Sequence, residues 1–343
     1  MKEKNIVDLS PPELVEKLLS WGQKRFATNQ VLAWLYRERV TSFEAMTNLS
    51  QEARKRLLEE FQIGRLTAEA TLDSMDGSRK FLFKLSDGQR IESVLMPQNN
   101  NRLTLCLSTQ VGCAMNCHFC KTAEMGLMRN LTQGEILGQV LEIQRTLAKG
   151  KKVTNIVFMG MGEPFHNYEN TIRALKILRD ERAFGFGKRK ITVSTSGLVP
   201  EIKKFGNDTD VKLAISLNAT EDSFRTKVMP VNKGYPMSEL QKACRTYNDL
   251  TGQVITIEYV MFAGLNDSLM DAKRLVKFLS NLKVKVNLIP FNEYPGSPYK
   301  RPTEETLRHF HHALADKNLQ VNVRYSKGLD ISGACGQLAT SKI

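Results

Sequence analysis

Three cysteines crowd one short stretch of this 343-residue sequence. Cys113, Cys117 and Cys120 are spaced C-x3-C-x2-C in VGCAMNCHFCKT. Thiolates that close repel one another unless a cation holds them, so the spacing points to a metal centre rather than to core packing. An iron–sulfur cluster usually takes four cysteine ligands. Three would leave one iron with an open position, and an open position on a metal marks chemistry rather than scaffolding. The alternative is a single zinc, with His118 as fourth ligand. His118 directly follows Cys117, however, and adjacent residues rarely both reach one tetrahedral ion. Phe119 beside Cys120 would shield a cluster from water.

Two further thiols and one carboxylate stand apart from that motif. Cys335 lies in Gly333-Ala334-Cys335-Gly336, a glycine-flanked loop near the C-terminus. Cys106 lies in the strand-like run just before the cysteine motif, and Glu92 in RIESVLM, on the face shared by Val94 and Met96. By residue type alone, Cys335 is a loop thiol, Cys106 a core residue and Glu92 a half-exposed strand carboxylate. Gly160-Met161-Gly162-Glu163-Pro164 follows another strand-like run, where glycines would let backbone approach a ligand closely. Cys244 in LQKACRTY reads as helix core, and His309, His311 and His312 in RHFHHAL as helix surface.

A frame must position these groups. From Leu103 onward, seven strand-like runs recur: LTLCLS, VTNIVFMG, KITVST, VKLAISL, VITIEYVMF, VKVNLIP and LQVNVRY. Helical segments separate most of them, at Thr132–Ala148, Tyr168–Asp180, Met237–Leu250, Leu269–Leu282 and Glu304–Asp316. Alternation of this kind predicts an α/β fold with a parallel sheet, open or closed into a barrel. Ligands should then gather at the C-terminal ends of the strands. Upstream, Lys80–Leu85 and Arg90–Met96 read as a hairpin turning at Ser86-Asp87-Gly88. The first sixty or so residues read as three short helices, the first starting at Ser10-Pro11-Pro12, then Ala27–Tyr36 and Gln51–Phe61. They form either an RNA-contacting module or a cap on the main domain.

Composition narrows the partners. Lys and Arg number 49 against 36 Asp and Glu, a net +13 that suits a polyanion, nucleic acid before an anionic membrane. Arg54-Lys55-Arg56 and Lys188-Arg189-Lys190 are the candidate phosphate contacts. With 41% hydrophobic and 25% charged residues the chain is globular in composition. The start MKEKNIVDL has no apolar core of a signal peptide, and no apolar run approaches the roughly 20 residues that span a bilayer. A cytoplasmic protein is expected, without a membrane partner. Six cysteines in such a chain read as ligands, catalytic thiols or core rather than as a disulfide scaffold.

The order of motifs LCLSTQVGCAMNCHFC, FMGMGEP, STSG, NLIPFNEYPG and GLDISGACGQL closely resembles the RlmN branch of the RlmN/Cfr family of radical S-adenosylmethionine (SAM) RNA methyltransferases. The resemblance covers nearly the whole chain. It implies a partial (βα)6 barrel over residues 101–343, a helical accessory domain over 1–64 and a β-hairpin extension over 65–100. It implies a [4Fe-4S] cluster on Cys113, Cys117 and Cys120, and two SAM molecules per turnover. Gly162, Glu163, Ser194, Ser216, Leu217, Asn218 and Asn292 would line the SAM site. Many relatives have His at the place of Asn218, which a backbone contact would survive and a side-chain contact would not.

The reaction so implied is methylation of adenosine C2 in 23S rRNA and a tRNA anticodon loop. Cys335 would take a methyl from one SAM, and a 5′-deoxyadenosyl radical from the second would remove hydrogen from it. The methylene would add to C2, Glu92 would take the C2 proton, and Cys106 would attack the sulfur of Cys335 to release product. An electron donor such as flavodoxin or ferredoxin would reduce the cluster. Two alternatives stay open. One is C8 methylation, which uses the same cysteines, although Pro164 and Pro290 fit the C2 branch better. The other is a non-catalytic RNA-binding protein with a zinc site.

Overall fold

A computed structural model describes residues 4–340. Its main sheet has ten strands in one run. In chain order these are β1 (Thr67–Asp73), β2 (Arg79–Lys84), β3 (Arg90–Gln98), β4 (Arg102–Cys106), β5 (Asn155–Phe158), β6 (Ile191–Thr195), β7 (Lys212–Ser216), β8 (Ile255–Met261), β9 (Val284–Pro290) and β10 (Gln320–Val323). Strands β4 to β10 pair in parallel and in sequence order. A helix lies in every connection between them: Gln133–Thr146, Tyr168–Arg179, Val199–Asp208, Met237–Thr251, Leu269–Leu279 and Glu304–Ala315. This is the α/β frame expected from the strand–helix alternation.

The helix Val199–Asp208 was not predicted, nor was the short helix Asp222–Val228. The first buries only Ile202 and Phe205, too few apolar side chains to show a helical period.

Seven strands laid flat would spread over roughly 30 Å at the usual spacing of about 4.8 Å. Here Cys106, at the end of β4, and Arg324, just past β10, line the same cleft. The sheet therefore curls until its first and last parallel strands face each other across a seam, a barrel left open on one side.

On the other edge, β3 runs antiparallel to β4, and β2 and β1 follow antiparallel. The β2–β3 hairpin is the expected one. The third strand, β1, was missed because TAEATLD alternates only exposed and half-buried side chains, with nothing fully buried to mark a face. The β1–β2 turn clasps the C-terminal segment: Met75 N–H donates to Asp330 Oδ2 at 3.0 Å, and Gly328 N–H to Asp76 Oδ2 at 2.9 Å.

The N-terminal segment is helical at Pro11–Ser20, Phe26–Leu32 and Gln51–Glu60. Ser10 and Glu13 close a reciprocal capping box at the first of these. Arg173 of the Tyr168–Arg179 helix reaches Glu13 at 2.6 Å and the Asp8 carbonyl at 2.7 Å. Gln133 Nε2 donates to the Val7 carbonyl at 2.7 Å. These bonds, with the shared hydrophobic core, seat the helices on the barrel. The cations of the third helix are largely occupied. Arg56 pairs with Glu52 at 2.8 Å, Lys55 with Glu59 at 3.9 Å, and Arg54 donates to the Glu44 carbonyl at 3.1 Å.

A second, smaller apolar cluster holds Val228, Met229, Phe262, Phe291 and Tyr299, with Cys117 and Phe119 packed against it. Cys244 is buried in the main core, and the helix carrying His309 and His312 leaves both exposed. Among the described residues no helix is long and apolar enough to cross a membrane.

Candidate active site

The parallel strands end on a cavity of about 160 Å³. Cys113, Cys117 and Cys120 enter it from the loop after β4. Gly162 and Glu163 come from the loop after β5, Ser194 and Ser216 from the ends of β6 and β7, Asn218 from just beyond β7, and Asn292 from just beyond β9. Cys335 reaches the same cavity from the C-terminal loop. Leu217 does not line it. Its side chain is fully buried in the core, and its carbonyl accepts a hydrogen bond from Arg225 Nε at 3.1 Å.

Burial pushes the Cys113 thiol up to about 12, with Glu163 and Cys120 adding to the shift. The Cys117 thiol goes up for the same reason, with Cys120 and Cys113 beside it. Three half-buried thiols crowded on one loop form a donor set that a cation would relieve. Among the described residues no three His, Cys, Asp or Glu side chains converge on a single ion. A cubane makes no such demand, because each thiolate binds a different iron. His118 is not among the lining residues, and its amide is engaged by the Val228 carbonyl at 3.0 Å.

The glycines after β5 line the cavity, and they also allow a close approach within the chain. A Cβ at Gly160 would lie 2.7 Å from the Leu107 carbonyl oxygen, and one at Gly162 would lie 2.5 Å from Gln110 Cβ. They let two stretches of protein backbone pass each other, and Gly162 also holds φ at +95°. Glu163 then turns inward. Its oxygens accept from Phe165 N–H at 3.0 Å and Ser196 N–H at 2.8 Å, which ties the β5 loop to the β6 loop. Burial raises the pKa of its carboxyl, and those amides oppose the rise.

Asn218 sits at φ +57°, a conformation asparagine tolerates better than most residues. Its side chain is already committed, with Oδ1 accepting from Val260 N–H at 2.8 Å.

Two buried polar atoms around this cavity lack hydrogen-bond partners, Ser196 Oγ and Asn292 Oδ1, and Glu258 Oε2 has only the ion pair with Arg324 at 3.7 Å. Orphaned acceptors of this kind await donors from a bound molecule. An amino group and an adenine N–H2 are donors, so the cavity fits SAM beside a cluster.

A second cleft, of about 510 Å³, opens along the barrel seam. Cys106 lines it, and Cys335 and Arg324 line both cavities. Burial pushes the Cys106 thiol up to about 12, Cys335 adds to this, and Arg324 opposes it. Cys335 also raises the pKa of Cys120, although burial is the larger cause there. Cys335 thus lies on the wall between the cavity of Cys120 and the cleft of Cys106. Its loop is fastened on several sides. Asn292 Nδ2 donates to the Cys335 carbonyl at 3.1 Å, Lys121 N–H to the Gly336 carbonyl at 2.8 Å, and Thr122 Oγ1 to the Leu338 carbonyl at 2.6 Å.

Glu92 lies in neither cavity. Its carboxylate is 1% exposed and pairs with Lys80 at 3.1 Å. Its Oε2 accepts from Ala339 N–H at 3.1 Å, next to Leu338 of the seam cleft. Its company is therefore not purely apolar, as the strand pattern had suggested. Arg324, Arg225, Glu258 and Lys80 were all overlooked in the sequence. Arg225 is fully buried, has no carboxylate within 4.0 Å among the described residues, and binds the Ser196 carbonyl at 2.7 Å, the Ser216 carbonyl at 3.3 Å and that of Leu217.

Comparison with known proteins places this geometry in a family. Residues 107–276 match the model of the radical SAM superfamily, and residues 4–63 that of the ribosomal RNA large subunit methyltransferase N-terminal domain. The chain is 50% identical to the dual-specificity RNA methyltransferase RlmN of Syntrophotalea carbinolica, over 95% of this chain and 87% of that protein. It is 49% identical to the RlmN of Geotalea uraniireducens, over 98% and 97%. The chain belongs to the RlmN family of radical SAM RNA methyltransferases. A crystal structure of a radical SAM methyltransferase from Sphaerobacter thermophilus superposes with a TM-score of 0.93 at 44% identity, covering 98% of this chain and all of the other. Membership of the RlmN family carries the iron–sulfur cluster and SAM with it.

Proposed function

We propose that this chain methylates C2 of an adenosine in RNA, with 23S rRNA and a tRNA anticodon loop as substrates. The observation that carries the reading is Cys335, which lines both the cavity of the cluster cysteines and the seam cleft with Cys106. Adenine C2 is not nucleophilic, so a methyl cannot simply be displaced onto it. A thiol that carries the carbon from one cavity to the other answers that difficulty.

Cys113, Cys117 and Cys120 would hold the cluster, and Glu163, Ser194, Ser216 and Asn292 would face SAM. When bound, the two supply a methyl group and a hydrogen-abstracting 5′-deoxyadenosyl radical. Cys335 carries the carbon as a thioether and presents it in the seam cleft to the base. Glu92, held by Lys80 and the Ala339 amide beside that cleft, accepts the C2 proton when the loop shifts. Cys106, as a thiolate, would then attack the sulfur of Cys335, forming a disulfide as the carbon–sulfur bond breaks. The carbon leaves with the bonding pair and takes a proton to complete the methyl. The one electron left over from the radical step would pass back to the cluster. Arg324, whose charge acts on both thiols, favours the thiolate that attacks.

The test is a pair of variants. Cys335→Ala carries no protein-bound methyl and makes no product. Cys106→Ala still takes up methyl, then stalls as a covalent RNA adduct through Cys335. Denaturing gels of each variant, with and without ribonuclease, read this out. Methylated RNA released by Cys106→Ala at the parent rate would remove Cys106 from the mechanism. Mass spectrometry of the modified nucleoside separates C2 from C8.

A further inference from the structure

Parallel strands share one direction, so the residues that head β4 to β10 gather at the barrel end opposite the cluster cavity. In this chain nearly every strand there begins with a cation. Arg102 opens β4, Lys151 and Lys152 precede β5, Lys188 to Lys190 precede β6, and Lys212 opens β7. Lys283 precedes β9 and Lys317 precedes β10, and β8 alone lacks one.

Strand alternation sends some of these cations inward. Ser216 lines the cavity, so Lys212, four residues earlier on β7, faces the same interior. Cys106 fixes Arg102 in the same way on β4. Asn287 bonds Glu258 of the cavity wall at 3.0 Å, which places Lys285 on the inner face of β9. These cations act on one another. Lys212 is held below the usual lysine range, first by partial burial and then by Lys285, Arg102, Lys190 and Arg189.

None of Arg102, Arg189, Lys190, Lys212 and Lys285 has an acidic partner within 4.0 Å among the described residues, and the nearby Asp210 is already shared by Arg179 and Lys188. The contrast with Lys55 and Arg56, each paired with a glutamate, is direct. Like charges gathered without counter-charge repel, and a polyanion would supply what is missing.

We propose that this barrel floor, formed by Arg102, Arg189, Lys190, Lys212 and Lys285, binds the phosphate backbone of the RNA substrate. The proposal rests on the RNA-methylation reading above and adds a second contact to it. A five-residue strand is roughly 16 Å long, so the floor and Cys335 stand about that far apart along the barrel. Arg102 lines the seam cleft together with Cys106 and Cys335, so an RNA chain held in the cleft continues onto the floor. A dinucleotide bound beside Cys335 stops short of it.

The test compares the parent with the triple variant Lys190→Gln/Lys212→Gln/Lys285→Gln in cluster-loaded protein. The probes are a folded tRNA transcript and a dinucleotide containing adenosine. Fluorescence anisotropy is measured between 50 and 200 mM salt, the range over which phosphate contacts are lost. For the transcript, each lost contact removes about 0.7–0.9 from the slope of log affinity against log salt. Three lost contacts therefore make the parent's fall over that range roughly 20- to 40-fold larger than the variant's. The dinucleotide should bind parent and variant equally.

The charge-preserving Lys→Arg triple should behave as the parent. RNA-free SAM cleavage, which needs none of these residues, confirms that the glutamine triple is folded. A parent-like slope in the glutamine triple overturns the proposal while leaving the RNA-methylation reading intact. Loss of inorganic diphosphate binding with an unchanged RNA slope also overturns it, since the floor would then be a free-anion site. A parent that binds neither RNA overturns both.

Discussion

Replacing Lys80 by Met is the sharpest test of how the Cys335 loop is held. Lys80 is on β2 and Glu92 on β3, diagonal across the pair, and both are nearly out of water. Lys80 Nζ lies 3.1 Å from Glu92 Oε1 and donates to the Ser332 carbonyl at 3.4 Å. Glu92 in turn holds the Ala339 amide. Ser332 and Ala339 bracket Cys335, so one buried ion pair clamps the loop at both ends.

Met keeps most of the volume of the lysine stem but strands the Glu92 charge. Removing one partner of such a pair costs about 3–5 kcal/mol, whereas removing both charges together often costs little. Three kcal/mol is more than a hundredfold in an opening equilibrium, at about 1.4 kcal/mol per tenfold. Amide hydrogen exchange over residues 333–339 is the assay, because it reports local opening directly. Lys80→Met should speed exchange there by a hundredfold or more. Lys80→Met/Glu92→Gln keeps an acceptor for the Ala339 amide and should recover at least 2 kcal/mol of that loss, within the usual range of coupling energies of about 0.5–3 kcal/mol. If the double variant exchanges as fast as the single one, or the single costs under about 1 kcal/mol, the clamp is not what holds the loop.

Alanine at Cys113, Cys117 or Cys120 should each abolish iron loading and SAM cleavage, read by metal analysis and product chromatography, while His118→Ala keeps its iron. Iodoacetamide at pH 8 should modify the partly exposed Cys335 and spare Cys106 and Cys244, since burial pushes both of those thiols up to about 12. Equal labelling by peptide mass spectrometry would contradict that burial. The Glu13–Arg173 tie should weaken in acid. Arg173 and the Ser10 bonds hold the Glu13 carboxyl down to about 2, so its contribution is present above the ordinary glutamate range and fades as pH falls from about 4.5 toward 2. Limited proteolysis between the N-terminal helices and the barrel should follow that window in the parent and be insensitive to it in Arg173→Ala.

The strand–helix alternation, the β2–β3 hairpin and the cysteine motif were legible because each rests on local pattern. What escaped depends on contacts distant in sequence. Lys80 in RKFLFK reads as the polar phase of an exposed strand, and only the β2–β3 pairing shows that it meets Glu92. Arg225 in DSFRTKV reads as a surface helix arginine. It is buried because carbonyls from the ends of β6 and β7 converge on it, and no sequence pattern records that. Arg324 closes an ordinary strand, yet the curl of the sheet brings it to Cys106, more than two hundred residues away. Gly160 and Gly162 were singled out as close-approach positions for a ligand; they line the cavity, and the Leu107–Gln110 segment of this chain crowds them as well. Asn218 lines the cavity as expected, and its side chain is spent on Val260 of β8 and on Met229, contacts that no local pattern records.

The segment that carries Cys120 also anchors the Cys335 loop. Lys121 and Thr122 follow Cys120 directly, and they grip Gly336 and Leu338 on either side of Gln337. On the proposed reading, metal loading and thiol placement share a hinge pin. Iron bound at Cys120 would steady Cys335 through the same short segment, and its loss would slacken both. Such an interlock would keep a half-assembled enzyme from capturing RNA that it cannot finish methylating. It predicts that chelated, iron-free protein exchanges the 336–338 amides faster than the loaded form, with β1 to β3 unchanged.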